Sequence, residues 1–193
     1  GGISGLTSAL EAAKTGYEVD LVEKSDRLGG VVGRLYKRFP GKDALRGPVE
    51  NDIGNLISAV EGNGKITVHL NSTVAKTDGA PGRFSVELSS GANVSVGAII
   101  QATGFKPYDM SLLPELGAGN ADVLDQLGFE ALVKAADGGP LKRPSDGQEI
   151  KNVVFVQCAG QRSDKEGHLN YCSGHCCLTS IKQAQYARAA GAD

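Results

Sequence analysis

The chain opens "GGISGLTSALEAAKTGYEVDLVEK", and few openings restrict a fold more. Ile3, Leu6, Leu10 and Ala13 recur at helical spacing on one face, and Gly16 is placed to end that helix. "YEVDLVEK" then reads as a buried strand that stops at Glu23. A glycine-rich turn, a helix and a strand closing on a carboxylate form a dinucleotide-binding arrangement. Small residues let the backbone approach a pyrophosphate, and the free N–H groups of Ile3, Ser4 and Gly5 at the helix start point at its oxygens. Gly5 is expected to let the helix lie close to the sheet. Glu23 follows Gly2 at the distance where a carboxylate accepts hydrogen bonds from the ribose hydroxyls of an adenosine. The competing readings are a tight turn with no ligand and a solvated carboxylate at a strand end.

Further along, "LGG" (28–30) follows the strand and "ATG" (102–104) closes a later apolar run. Both favour the nucleotide reading. The candidate nucleotide residues are therefore Gly1, Gly2, Ile3, Ser4, Gly5, Glu23, Lys24, Gly29, Gly30, Thr73, Val74, Ala102, Thr103 and Gly104. Between the two glycine turns, Pro48 to Val60 predicts an amphipathic helix carrying Val49, Ile53, Leu56, Ile57 and Val60, with irregular sequence before it. "KITVHL" predicts a strand. "TVAKT", "RFSVEL" and "NVSV", separated by "DGAPG" and "SSGA", predict an antiparallel meander. That meander is typical of FAD-binding domains. "GAIIQATGF" reads as another buried strand, "GFEALVKAA" as a modest helix, and "DGGPLKRPSDGQEIK" as a turn-rich connector. "NVVFVQC" reads as an apolar strand covered on both faces. Leu178, Ile181, Ala184, Gln185 and Arg188 outline a last helix.

All four cysteines, Cys158, Cys172, Cys176 and Cys177, lie inside "QCAGQRSDKEGHLNYCSGHCC". Four readings stand side by side. Structural disulfides suit an oxidising compartment, and nothing in the chain suggests secretion. Adjacent cysteines also pair badly with one another, because a disulfide wants Cα atoms roughly 4.4–6.8 Å apart. A structural zinc site more often uses paired knuckles of two closely spaced thiolates. Unconnected buried thiols would be a coincidence at this density. Four thiolates can also hold an iron–sulfur cluster, whose potential nearby N–H groups and burial would tune. His168 and His175 are further candidate ligands, and Arg162 and Lys165 could balance a cluster's negative charge.

The net charge is −2 and no block of like charge occurs, so neither nucleic acid nor an anionic membrane is the expected partner. The apolar runs are too short to span a bilayer, and a cytoplasmic location is expected. Each end has the look of a cut through a longer βαβ pattern.

Taken in order, "GGISGLTSALEAAKTGYEVDLVEK…LGG", "QATGF", "PSDGQEIKNVVFVQCAGQR" and "YCSGHCC…IKQAQYA" resemble the flavoprotein of heterodisulfide reductase, its A-type component. They are most similar to its relatives in the quinone-interacting membrane-bound oxidoreductase (Qmo) complex of sulfate reducers, in particular the B-type component there. The resemblance implies an α/β fold: a thioredoxin-reductase-like, three-layer β/β/α FAD-binding domain over residues 1–150, without its first strand, and the start of a second Rossmann-like βαβ domain over 151–193. It implies FAD and a 4Fe-4S cluster on Cys158, Cys172, Cys176 and Cys177. It places the adenine near Thr73 and Val74 and the flavin along Gly29, Gly30 and Gly104. The function it implies is electron transport by a flavoprotein oxidoreductase, working with the other subunits of a redox complex. That complex would be cytoplasmic or held at the inner membrane through its partners, and in Qmo it serves sulfate reduction. Family members also carry ferredoxin-like cysteine motifs, and none occurs here. A non-catalytic scaffold, zinc-stabilised or metal-free, and an ordinary FAD-dependent NAD(P)H-linked reductase are the alternatives.

Overall fold

The computed structural model describes residues 1–39 and 47–193. Part of the irregular stretch expected before Pro48 falls on 40–46, outside the described residues. The chain divides into two compact units. One holds residues 1–34 and 51–105, and the other holds 35–50 and 106–193.

In the first unit, α1 (Ile3–Lys14) begins directly after Gly2 and ends where Thr15 Oγ1 donates to Ala12 O (2.8 Å) and Gly16 turns to φ +102°. Its buried face is Gly5, Leu6, Ala9 and Ala13. The helix rests on a parallel pair, β1 (Val19–Val22) and β4 (Ile66–His69), in register Val19↔Ile66 to Val22↔His69. Across that pair, His69 Nε2 lies 2.7 Å from Asp20 Oδ1. Leu6 and Val60 are fully buried and form the core with Ala9, Leu21 and Ile53. Val60 comes from α2 (Ile53–Glu61), which starts later than the expected Pro48. The meander appears as expected: β5 (Val74–Ala80), β6 (Arg83–Leu88) and β7 (Asn93–Val96) are antiparallel neighbours, with a bulge between Val74 and Lys76. Pro81 and Gly82 make the first turn, Gly82 at φ +88°. The mixed α/β pattern with its parallel pair is the Rossmann-like class that the opening predicts.

The expected strand at 97–103 does not form as a ladder. Residues 98–104 carry no strand pairing, and Ile99 and Ile100 are 44% and 66% exposed. An apolar run becomes a strand only when a neighbour satisfies its N–H and C=O groups. Among the described residues, none pairs with this one.

In the second unit, β2 (Lys37–Arg38) pairs antiparallel with β3 (Val49–Glu50). This short ladder takes Val49 and Glu50 out of the helix expected from Pro48. Helix α3 (Gln126–Ala136) is capped by Asp125, whose Oδ1 accepts from Gly128 N at 2.6 Å, and closes on Asp137 in the left-handed region. Helix α4 (Cys176–Ala189) starts within the cysteine segment. Phe129, Val133, Leu141, Tyr186, Ala187 and Ala192 form the core.

"NVVFVQC" is extended but is not a strand covered on both faces. Val153 and Phe155 pack on the core, with Phe155 edge-on to Phe129 at 5.8 Å, whereas Val154 is 85% exposed. Its backbone meets the chain end instead, through Val153 N to Asp193 O and Asp193 N to Lys151 O. Helix α4 is also rotated from its apolar reading. Leu178 and Ile181 face outward, while Ser180, Lys182, Gln183, Tyr186 and Ala187 are buried. The cause is Glu130 of α3, fully buried, whose Oε1 lies 2.9 Å from Lys182 Nζ and accepts from Gln183 Nε2 at 3.0 Å. A buried carboxylate costs several kcal/mol unless it is paired, so the polar side of α4 turns inward.

Candidate functional site

Two groups of residues carry chemistry, one in each unit. In the first unit the two glycine turns lie back to back. Gly29 N donates to Gly1 O (2.8 Å), and Gly2 and Gly29 form a parallel bridge. A Cβ on Gly30, which sits at φ +53°, would lie 2.8 Å from Gly2 Cα. A Cβ on Gly1 would lie 2.5 Å from Glu23 Oε2. Side chains would fill this crossing, so it is a cradle that only glycine leaves open. The first intrahelical bond of α1 is Leu6 N to Gly2 O (2.9 Å). The N–H groups of Ile3, Ser4 and Gly5 therefore lack intrahelical acceptors and project from the positive end of the helix dipole. Gly5 is a weaker constraint than expected. A Cβ there would meet Leu21 Cδ1 and Ala102 Cβ at 3.5 Å, an ordinary contact.

Glu23 sits beside this cradle with its side chain 11% exposed. Oε1 accepts from Ser25 N (2.8 Å) and Ser25 Oγ (2.7 Å). Burial pushes its pKa up, whereas the two Ser25 bonds favour the ionised form and pull it down. The carboxylate is thus already oriented by donors of the kind a ribose would offer. Lys24 follows, exposed. Ser72 N donates to Glu23 O (3.0 Å), which brings Thr73 and Val74 to the same end of β1. Thr73 N is engaged by Ser89 Oγ (2.9 Å). Ala102 reaches the start of α1 at Gly5, and Thr103 and Gly104 (φ +68°) continue from it, exposed. Sequence reasoning missed Ser25 and Ser72. The "EKS" spacing, an acid with serine two residues on, was the available signal for the first.

In the second unit, the extended segment ends at Cys158, which adopts φ +55°, a left-handed conformation rare for a residue with a side chain. The loop then folds on itself through Leu169 N to Gly160 O (3.0 Å) and Arg162 N to Tyr171 O (3.2 Å). The Tyr108 ring lies where any Cβ on Gly160 would be. Tyr108 OH is 3.3 Å from His168 Nδ1, and Lys165 Nζ is 2.8 Å from Glu115 Oε1. His168 and Lys165 thus face the 106–117 segment. His175 is the residue before α4, and its carbonyl accepts from Thr179 N. Gly174 N donates to Cys172 Sγ at 3.4 Å, and Ser173 Oγ lies 4.0 Å from Cys176 Sγ.

All four thiols are free, Cys158 and Cys176 half-buried and Cys172 and Cys177 exposed. The Cys177 thiol is pushed up first by Cys176, then by burial and a hydrogen bond with Cys176, and then by Cys158 and Cys172. Cys177 thus lies within electrostatic reach of the other three cysteines. Among the described residues, no group of three or more His, Cys, Asp or Glu is arranged to hold a single metal ion. The donor set is soft and all thiolate, which suits an iron–sulfur centre in chemistry.

Comparison with known proteins finds similarity to a dinucleotide-binding domain and to components of redox enzymes. Residues 1–44 match the family model of an NAD(P)-binding Rossmann-like domain. The chain is also similar to the A-type components of several heterodisulfide reductases. The iron-sulfur component of this type from the CoB–CoM heterodisulfide reductase of Methanocaldococcus jannaschii is 28% identical, over 96% of this chain and 40% of that protein. Its counterpart in the H(2)/formate:CoB-CoM heterodisulfide,ferredoxin reductase of Methanococcus maripaludis is 27% identical over 95% of this chain and 40% of that protein. The counterpart in the ferredoxin/F(420)H(2)-dependent CoB-CoM heterodisulfide reductase of Methanosarcina acetivorans is 23% identical, over 97% and 34%. The chain thus spans about 40% or less of the length of these relatives. The alignments run over 263 to 271 positions against a chain of 193 residues, so the relatives carry intervening segments that this chain lacks. Among the described residues, no helix is long and apolar enough to cross a membrane.

Proposed function

We propose that the chain is an electron-transfer part of a flavin- and iron–sulfur-dependent oxidoreductase, working beside other subunits of a heterodisulfide reductase or Qmo-type complex. The observation that carries this reading is the conjunction, in one chain, of a glycine cradle with an oriented carboxylate and four free thiols on one loop and the start of the helix that follows it. Similarity to components named as parts of heterodisulfide reductases supports it.

In this reading FAD is held by the first unit. The N–H groups of Ile3, Ser4 and Gly5 bind its pyrophosphate over Gly1 and Gly2, and Glu23 with Lys24 meets the adenosine ribose. Ser25 keeps the Glu23 carboxylate ionised and aimed. Thr73 and Val74 lie toward the adenine, while Gly29, Gly30, Ala102, Thr103 and Gly104 border the rest of the cofactor. Cys158, Cys172, Cys176 and Cys177 hold a 4Fe-4S cluster, with segment 151–193 as the opening of a second βαβ domain. A single ion would need three or more of these groups closed around one point; a multi-iron centre spans a wider set of thiolates. The N–H of Gly174, already aimed at Cys172 Sγ, lowers the charge on that sulfur. A flavin exchanges electrons in pairs and an iron–sulfur centre one at a time, so a chain with both links the two kinds of flow.

The visible spectrum of anaerobically purified protein tests this reading. Superposed flavin and broad iron–sulfur absorption, both bleached by dithionite, is the expected result. A colourless zinc-loaded protein would instead support a scaffold, and flavin alone a simple FAD-dependent reductase.

A further inference from the structure

The cysteine set comes from two separate pieces of chain, Cys158 at the end of the extended segment and Cys176–Cys177 at the start of α4. One buried hydroxyl joins them. Ser180 Oγ, on a residue only 7% exposed, accepts from Gln157 Nε2 at 2.6 Å and from Gln126 Nε2 at 3.2 Å. Gln157 is the residue before Cys158. Gln126 is the first residue of α3, and the same Nε2 also donates to Cys176 O at 3.0 Å. The second unit thus has a three-residue polar clasp with a defined sense. Gln157 ties the Cys158 arm to α4, and Gln126 ties the first turn of α4 to α3. The position of Gln126 is itself fixed, because its carbonyl accepts from the buried Gln183 at 2.7 Å.

We infer that Ser180 is the positioning residue of the cysteine quartet: it sets the separation between the Cys158 thiol and the Cys176 and Cys177 thiols. This rests on the reading that the four thiols share an inorganic centre. The left-handed backbone at Cys158 gives the clasp its purpose. A residue with a side chain is strained there, so the conformation persists only if neighbours hold it; Gln157 does so from one side and Gln161 N, which donates to Cys158 O at 3.2 Å, from the other. The two outermost thiols, Cys172 and Cys177, are exposed, which leaves the Cys158–Cys176 side as the one that packing and hydrogen bonds define.

The test uses the 193-residue chain without oxygen, reconstituted with ferrous iron and sulfide, with the broad iron–sulfur absorption as the readout. Ser180→Ala removes the acceptor, and Ser180→Thr keeps a hydroxyl. Gln157→Leu removes one donor at an exposed position and guards against misfolding of the Ser180 variant. Partners that orient metal ligands are worth about 10–100-fold in affinity. Ser180→Ala and Gln157→Leu are therefore expected to lose the reconstituted centre to a chelator about tenfold faster or more, and Ser180→Thr to restore most of its retention. The midpoint potential of the reconstituted centre should shift in the same two variants. Unchanged retention and potential in both, with a centre held by the unaltered chain, would overturn the role of Ser180 alone. Failure of the unaltered chain to take up iron and sulfide would overturn the shared-centre reading, and this inference with it.

Discussion

Glycines that look alike in the sequence have unequal consequences at the residue scale. Gly30 sits at positive φ with Gly2 pressed against the place where a Cβ would go, whereas Gly5 lies in a helix with room for a methyl group. Gly30→Ala should therefore destabilise the first unit by about 2 kcal/mol. Gly5→Ala should be neutral or gain up to about 1 kcal/mol of helix stability. Urea unfolding of the two variants checks this contrast, and equal effects would contradict it. Glu23 makes a second case. The two Ser25 bonds favour its ionised form, so their contribution is present where the carboxylate is charged and is lost as the pH falls through its pKa. The stability gap between the chain and Glu23→Gln, on the order of 2 kcal/mol at neutral pH, should shrink steadily as the pH falls into the acid range. A gap that stays constant over that range would show that the carboxylate is not held ionised by Ser25.

What each element became depended on where its partners lie. Helix α1, strands β1 and β4 and the meander were legible because their periodicity is local and glycine or proline marks their ends. The runs at 97–103 and 152–157 have the same apolar composition, but a strand is defined by its neighbour, and periodicity names no neighbour. The β2–β3 ladder escaped notice because two residues show no pattern, and it displaced the start of α2. Helix α4 misled most, since its buried side is polar. Glu130, Lys182 and Gln183 satisfy one another inside the unit, while Glu130 Oε2 accepts from Tyr36 N at 2.9 Å and Lys182 Nζ donates to Lys37 O at 2.9 Å. No hydrophobic pattern can encode such a pairing. Lys182→Met should leave Glu130 charged and unpaired and cost about 3–5 kcal/mol in urea unfolding. A loss below about 1 kcal/mol would show that the remaining donors suffice.

For the whole molecule, the glycine loop, Glu23 and the clustering of cysteines were visible in the sequence because both motifs are compact along the chain. The serines that orient them, Ser25 and Ser180, were not, because a hydroxyl acquires its role only from what folding brings to it. The central claim is that one chain combines a flavin nucleotide site with a four-thiolate iron–sulfur site. The most direct measurement is the iron, acid-labile sulfide, zinc and flavin content of the protein purified without oxygen. The account predicts flavin together with iron and sulfide in equal amounts, with iron lost on replacing Cys158 or Cys176 by serine. Stoichiometric zinc without sulfide, or a protein holding neither flavin nor iron, would contradict it.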